Sequence, residues 1–395
     1  MYIVTKYIGV YLVIISRVIL KNWRNFRNVD VSLGNRVFII GPNASGKSNF
    51  LDVFRFLRDI VKPGGGLQKA ISDRGGVSKI RCLAARQDLD IGIEVHFSES
   101  FGQNPYWKYE VGIKQQVRGR HLPYLGYEKV WKSDKLLLER PDNKDKTDKI
   151  RLSQTHLEQI NANQPFREIA DFLESVLYLH LVPQLLRYPT AFSGPGIPED
   201  PFGRYFLERV AKTPEKTRQS RLNKIEAALR IAVPQLKNLI ETKDEMGIPH
   251  LEATYEHWRA KGAKQREDQF SDGTLRLLGL LWSLLESDSL LLLEEPELSL
   301  NKEIVSQLPG LINRLQRQKK RQIILSTHNQ DLLSDKGIPG QEILFLTPSQ
   351  EGTKIELASS IPEFRNLLEG GLTVAEAVMP KASPKNAYQL ALIKW

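Results

Sequence analysis

Two stretches far apart in the sequence hold residues that could handle phosphate. Gly41-Pro42-Asn43-Ala44-Ser45-Gly46-Lys47-Ser48 has two glycines, a lysine and a serine at P-loop spacing. It follows the apolar run Val37-Phe38-Ile39-Ile40 and precedes a helical pattern through Leu51, Phe54, Leu57 and Val61. The motif therefore has the strand–loop–helix setting it requires. Glycines let backbone N–H groups curl around phosphate oxygens, and a helix N-terminus adds positive potential. Asn43, Ala44, Ser45, Gly46, Lys47, Ser48 and Asn49 are the expected nucleotide contacts. Lys47 would reach the β- and γ-phosphates, and Ser48 would share Mg²⁺ with an acid on a neighbouring strand.

The second stretch supplies the acid. Leu290-Leu291-Leu292-Leu293 suits a parallel strand buried on both faces, and it runs into Glu294-Glu295-Pro296-Glu297. Carboxylates at the end of such a strand lie where open α/β sheets place their ligands, and once desolvated they need a cation. Glu294 is the candidate metal ligand with Ser48. Glu295 is the candidate to polarise the attacking water. Ser326-Thr327-His328 ends another apolar run, Ile323-Ile324-Leu325. That places His328 one crossover beyond the carboxylates, within reach of a γ-phosphate or its water.

The elements that must position these groups can be read from periodicity. Ile14–Leu20, Val29–Leu33 and Val37–Ile40 read as successive strands entering the P-loop, with the apolar run Ile8–Ile15 as part of the first or as extra residues upstream. From Leu89 the period changes to two: Leu89, Ile91, Ile93, Val95 and Phe97, then Trp107, Tyr109, Val111 and Ile113, give an antiparallel meander continued by Tyr124–Trp131. His96 falls on its outward phase and is expected to be solvated. Helical patterns follow over Ser153–Ser175 and Phe202–Ile231, around a short strand at Val176–Leu181 and an irregular linker at Tyr188–Pro201. Leu251–Trp258 returns a strand. Ser271 is a good N-cap for an apolar helix to Leu285, and with the free backbone at Gly273 that helix start is also an anion site. Glu303–Leu315 reads as an amphipathic helix.

Composition narrows the class. A chain of 395 residues with 41% hydrophobic and 26% charged residues fits a soluble globular protein. Its 56 Lys and Arg against 46 Asp and Glu give a net charge of +10. That balance fits an anionic partner such as nucleic acid, and equally a solvated basic surface. The helix residues Lys212, Lys216, Arg218, Arg221 and Lys224 could meet phosphates. One cysteine, Cys82, suits a reducing cytoplasm, and no apolar run is long enough to span a bilayer.

The order P-loop, Ser-x-Gly helix start, leucines-Glu-Glu-Pro-Glu and Ser-Thr-His resembles the ABC-type ATPases of the RecF/SMC group. More narrowly, Gly-Pro-Asn-Ala-Ser-Gly-Lys-Ser-Asn, Phe-Ser-Asp-Gly-Thr and Glu-Glu-Pro-Glu resemble bacterial AAA-family, RecF-like ATPases related to the ATPase part of overcoming-lysogenisation-defect nucleases. The resemblance covers 20–60 and 268–347 well. It implies an α/β P-loop NTPase head of ABC type, with a mixed sheet, an antiparallel β subdomain and an inserted helical lobe. The expected divisions are 1–62 (strands, P-loop and first helix), 63–152 (antiparallel β), 153–268 (mainly helical insertion), 269–347 (signature helix, carboxylate strand and His328) and 348–395 (C-terminal extension).

The resemblance further implies slow Mg²⁺-dependent ATP hydrolysis at composite sites of a homodimer. Lys47, Ser48, Glu294, Glu295 and His328 of one copy would face Ser271 and Gly273 of the other. Asn22-Trp23-Arg24-Asn25-Phe26 is similar to the Asn-Phe-Arg segment of that group, which implies Arg24 beside the nucleotide. Glu294 stands where transporter ATPases carry Asp, and Gln87 and Gln184 are the candidates for a metal-sensing glutamine. The nuclease relatives attach a Toprim domain; residues 348–395 hold no Asp-x-Asp pair, so this chain is expected to work with a separately encoded effector, in anti-phage defence or DNA repair. The alternatives are an ATPase subunit of a membrane transporter and a structural DNA-associated head.

Overall fold

The computed structural model describes residues 14–116, 119, 121–188, 202–257, 262–287, 289–384 and 386–392. In chain order, β1 (Ile14–Trp23) and β2 (Phe26–Ser32) form a hairpin, and β3 (Arg36–Ile40) leads into helix α1 (Lys47–Val61). A meander follows: β4 (Ile91–Ser98), β5 (Trp107–Gln115), β6 (Pro123–Lys132) and β7 (Lys135–Arg140). Next come helix α2 (Arg167–Glu174), β8 (Leu177–Leu179), helix α3 (Glu215–Ala232) and the strands β9 (Leu236–Lys243), β10 (Pro249–Tyr255) and β11 (Ala263–Arg266). Helix α4 (Asp272–Glu286), β12 (Leu291–Glu294), helix α5 (Lys302–Lys319), β13 (Ile323–Ser326), β14 (Ile343–Thr347) and β15 (Lys354–Leu357) complete the frame.

These strands make three sheets, with orders β2-β1-β4-β5-β6-β7, β11-β10-β9 and β15-β14-β3-β13-β12-β8. The third is parallel except for β15, which pairs antiparallel with β14. It is buried on both faces, which is why its strands read as unbroken apolar runs. Side chains alternate across it. Val37, Ile39, Leu290, Leu292 and Ile324 join a core shared with the antiparallel sheet and α1. Phe38, Ile40, Leu291, Leu293 and Leu325 join a second core with α4 and α5. The mixed sheet is thus the middle layer between two hydrophobic cores, the arrangement expected of an α/β head.

Several expectations are corrected. β1 and β2 do not extend the P-loop sheet; they pair with each other and β1 pairs with β4, so the antiparallel sheet is assembled from both sides of α1. Within residues 153–268, read as mainly helical, the strands expected at Val176–Leu181 and Leu251–Trp258 are present as β8 and β10, and β9 and β11 join β10 in a separate sheet that the reading lacks. Over Ser153–Ser175 only α2 is α-helical, preceded by short 3-10 turns with a proline, Pro165, in one of them. Proline lacks the N–H a helix interior needs. His96 is not solvated. β4 is flanked by β1 and β5, so cross-strand Arg17 and Lys108 lie beside it, and His96 is 6% exposed with Nε2 2.6 Å from Glu94 Oε1. The linker expected at 188–201, apart from Tyr188, and most of the run at 8–15 lie outside the described residues.

Candidate active site

The parallel register puts Glu294 beside Ser326, and Ser326 beside Ile39, in one row at the carboxyl ends of β12, β13 and β3. The loop 41–46 leaves β3 at that row and turns into α1. Gly46 takes φ +99°, and a Cβ there would sit 2.2 Å from Asn25 Nδ2, so only glycine fits. Ala44 also has a positive φ, 60°. Ser45 is fully buried, yet its hydroxyl has no partner. Asn43 and Ala44 are exposed, as a surface that meets a ligand must be.

Lys47 is 8% exposed, and its ammonium donates to the carbonyls of Gly41 (2.9 Å) and Pro42 (3.2 Å). Burial lowers its pKa, opposed by the charges of Glu295 and Glu294. The Ser48 hydroxyl donates to Glu294 Oε1. The other carboxylate oxygen, Oε2, accepts from the Tyr178 hydroxyl on β8. Burial, then the facing Glu294 charge, pushes the Tyr178 phenol well above its ordinary value, so it stays a donor. Glu295 leaves the strand with φ 44°, its N–H on Ser326 O at 3.1 Å, and its Oε1 2.8 Å from His328 Nδ1. Behind this pair Glu297 is buried, accepting from the Thr327 hydroxyl at 2.5 Å, and burial raises its pKa.

This donor set fits a nucleotide triphosphate with Mg²⁺. A buried ammonium lies beside glycine-bearing backbone, a buried hydroxyl is orphaned in the loop, and a serine and a carboxylate already converge. Mg²⁺ is commonly held by one or two carboxylates, substrate phosphates and water.

The remaining residues read from sequence sit apart from this cluster. Ser271 caps α4, accepting from Thr274 N at 3.2 Å. Gly273 packs so closely that a Cβ would lie 2.8 Å from Ser299 O. Asp272 is held by Arg187 (2.7 Å) and by Gln184 (3.0 Å), so Gln184 serves the helix start; Gln87 is exposed in the loop before β4. Arg24 is engaged by Asp52 of α1, with Nε 2.9 Å from Oδ2, while lining a groove with Asn25, Ala44 and Asn49.

Sequence reasoning missed Asn25, next to Arg24. Its amide donates to Ser45 O (2.7 Å) and Thr353 Oγ1 (2.8 Å), and its carbonyl oxygen accepts from Asn49 (2.9 Å). It ties the P-loop to the N-terminal hairpin and to the β14–β15 turn. Asn25→Ala should weaken ATP binding by about 5–30-fold, the loss of roughly 1–2 kcal/mol in loop order. Calorimetric titration checks this, and unchanged affinity would remove Asn25 from the site.

Residues 36–335 match the model of the family described as "AAA domain, putative AbiEii toxin, Type IV TA system". Among solved structures, the SmcHead bound to the C-winged helix domain of ScpA aligns with a TM-score of 0.53. It is 13% identical and covers 87% of this chain and 97% of that one, a likeness of fold. Among curated proteins, Endonuclease GajA of Bacillus cereus (strain VD045) is 48% identical over 44 residues. That stretch is 11% of this chain and only 8% of GajA's length. With the P-loop, carboxylate strand and Ser-x-Gly helix start on one RecF/SMC-like ABC-type head, the chain belongs to the family "AAA domain, putative AbiEii toxin, Type IV TA system" and is a P-loop ATPase by descent.

Proposed function

We propose that the chain binds Mg-ATP on the P-loop and hydrolyses it slowly, with two copies closing around the nucleotide. The observation that carries this is the convergence of Ser48 with Glu294, and of Glu295 with His328, at the ends of adjacent parallel strands. Lys47 and the loop N–H groups bind the phosphates. Ser48 and Glu294 would hold the metal, which would supply charge to neutralise the phosphates. Glu295 takes the proton of the attacking water, and His328 orients that carboxylate. Beyond the one attacking water, bulk solvent would weaken these charged contacts, so the phosphates need a cover over them.

Ser271 and Gly273 at the start of α4 are the natural cover, presented by a second copy. A capped helix start offers backbone N–H groups and positive potential to a γ-phosphate. ATP then joins the pair and hydrolysis releases it. We read the cycle as controlling a separately encoded effector, in defence or repair; the likeness to Endonuclease GajA supports a nuclease effector. Among the described residues no helix is long and apolar enough to cross a membrane.

Composite sites have a decisive test. Lys47→Ala disables one half of a site and Ser271→Arg the other, so each protein alone should be inactive. Mixed, they form pairs in which an intact P-loop faces an intact Ser271, and ATPase activity should reappear. A mixture as dead as its components, or a fully active Ser271→Arg protein, would sink the shared-site reading.

A further inference from the structure

Glu294 carries one more methylene than an aspartate would, and so one more torsion. The terminal torsion of glutamate is broad and does not orient the carboxylate by itself. In this chain both oxygens are claimed: Oε1 by the Ser48 hydroxyl and Oε2 by the Tyr178 hydroxyl.

The second contact follows from the sheet. β8 is its edge strand, pairing parallel with β12 so that Tyr178 lies opposite Leu292. Residues two apart on a strand share a face, so Leu292 and Glu294 point the same way, and the tyrosine reaches diagonally to the acid. Its ring is buried in the core beside Leu292 and Ile324 and is covered from α1 by the Arg55 guanidinium, 4.2 Å from the ring centroid. Core packing alone needs no hydroxyl here; a phenylalanine would fill the space. The hydroxyl has one recorded acceptor, and that acceptor is Glu294.

We propose that Tyr178 is a positioning residue for Glu294, holding Oε2 so that Oε1 stays aimed at Ser48 and at the metal they would share. This rests on the proposed Mg-ATP site. Bonds from phenol to carboxylate are among the stronger hydrogen bonds, and partners of metal-ligating carboxylates typically govern affinity 10–100-fold.

The test is a Mg²⁺ titration at fixed ATP, read by nucleotide-dependent thermal stabilisation of the full chain and, separately, by turnover. Tyr178→Phe should raise the half-saturating Mg²⁺ concentration about tenfold. It should leave binding of ATP in chelator and the melting temperature without nucleotide unchanged. Glu294→Asp withdraws the carboxylate from the hydroxyl, so adding Tyr178→Phe to it should change the Mg²⁺ midpoint no further. A wild-type Mg²⁺ midpoint in Tyr178→Phe overturns the role, as do additive effects of the two substitutions. If Tyr178→Phe melts too early to titrate, Glu294→Asp alone still decides, since an unchanged midpoint there also overturns the brace. Wild-type protein that shows no Mg²⁺-dependent stabilisation by ATP is a different failure, and it removes the Mg-ATP site itself.

Discussion

Replacing Glu295 by glutamine stops turnover and leaves ATP bound: kcat should fall by about 10²–10⁴-fold, the usual contribution of a positioned general base. The side chains have nearly the same shape, and the amide oxygen can still meet His328 Nδ1, so the geometry at 2.8 Å survives. What is lost is a base. The left-handed backbone at Glu295 and its N–H on Ser326 O hold the residue off the strand, facing the P-loop rather than the core. Losing a negative charge beside the phosphates also removes a repulsion that bound ATP otherwise meets. ATP-bound pairs should accumulate, visible as a doubled mass in light scattering. Single-turnover kinetics give the rate, and hydrolysis at the wild-type rate would hand the base role to another group.

Removing the Lys47 ammonium has the other large effect. Lys47→Ala should weaken ATP binding by roughly 30-fold to several thousand-fold, because truncating one partner of a buried charged contact costs about 2–5 kcal/mol. The chain has already desolvated this ammonium: it is 8% exposed, with carbonyls of its own loop as partners. A triphosphate exchanges those neutral acceptors for charged ones. The apo protein should be no less stable, since the variant no longer buries a charge. Equilibrium dialysis with labelled ATP and a melting curve read both, and near-normal affinity would place the phosphates elsewhere.

The parts of this design that were legible in the sequence are local ones. Four consecutive leucines can only satisfy a strand covered on both sides, and Leu290–Leu293 do alternate between the two cores. The P-loop pattern and the Ser271 cap are likewise set by neighbours in the chain. Contacts that join distant segments left no local mark. Asn25 bonds to Thr353 across 328 positions, and Tyr178 bonds to Glu294 across 116. Nothing in a short window distinguishes either from a turn asparagine or a core tyrosine. His96 misled for the same reason, because alternation reports the phase of a strand and not what its neighbours cover. Leu251–Trp258 reads as a strand and appears as β10, but β9 and β11 hid behind polar sequence: both are only partly buried, so their period is weak.

The tie between Asn25 and Thr353 also sets a clock. Residues 41–48 leave the ribosome early, but the turn that braces them follows about three hundred residues later. At 5–20 residues per second that lag is roughly 15–65 s. During it the nascent chain carries a P-loop in which Asn25 has yet to meet Thr353, one of its three side-chain partners there.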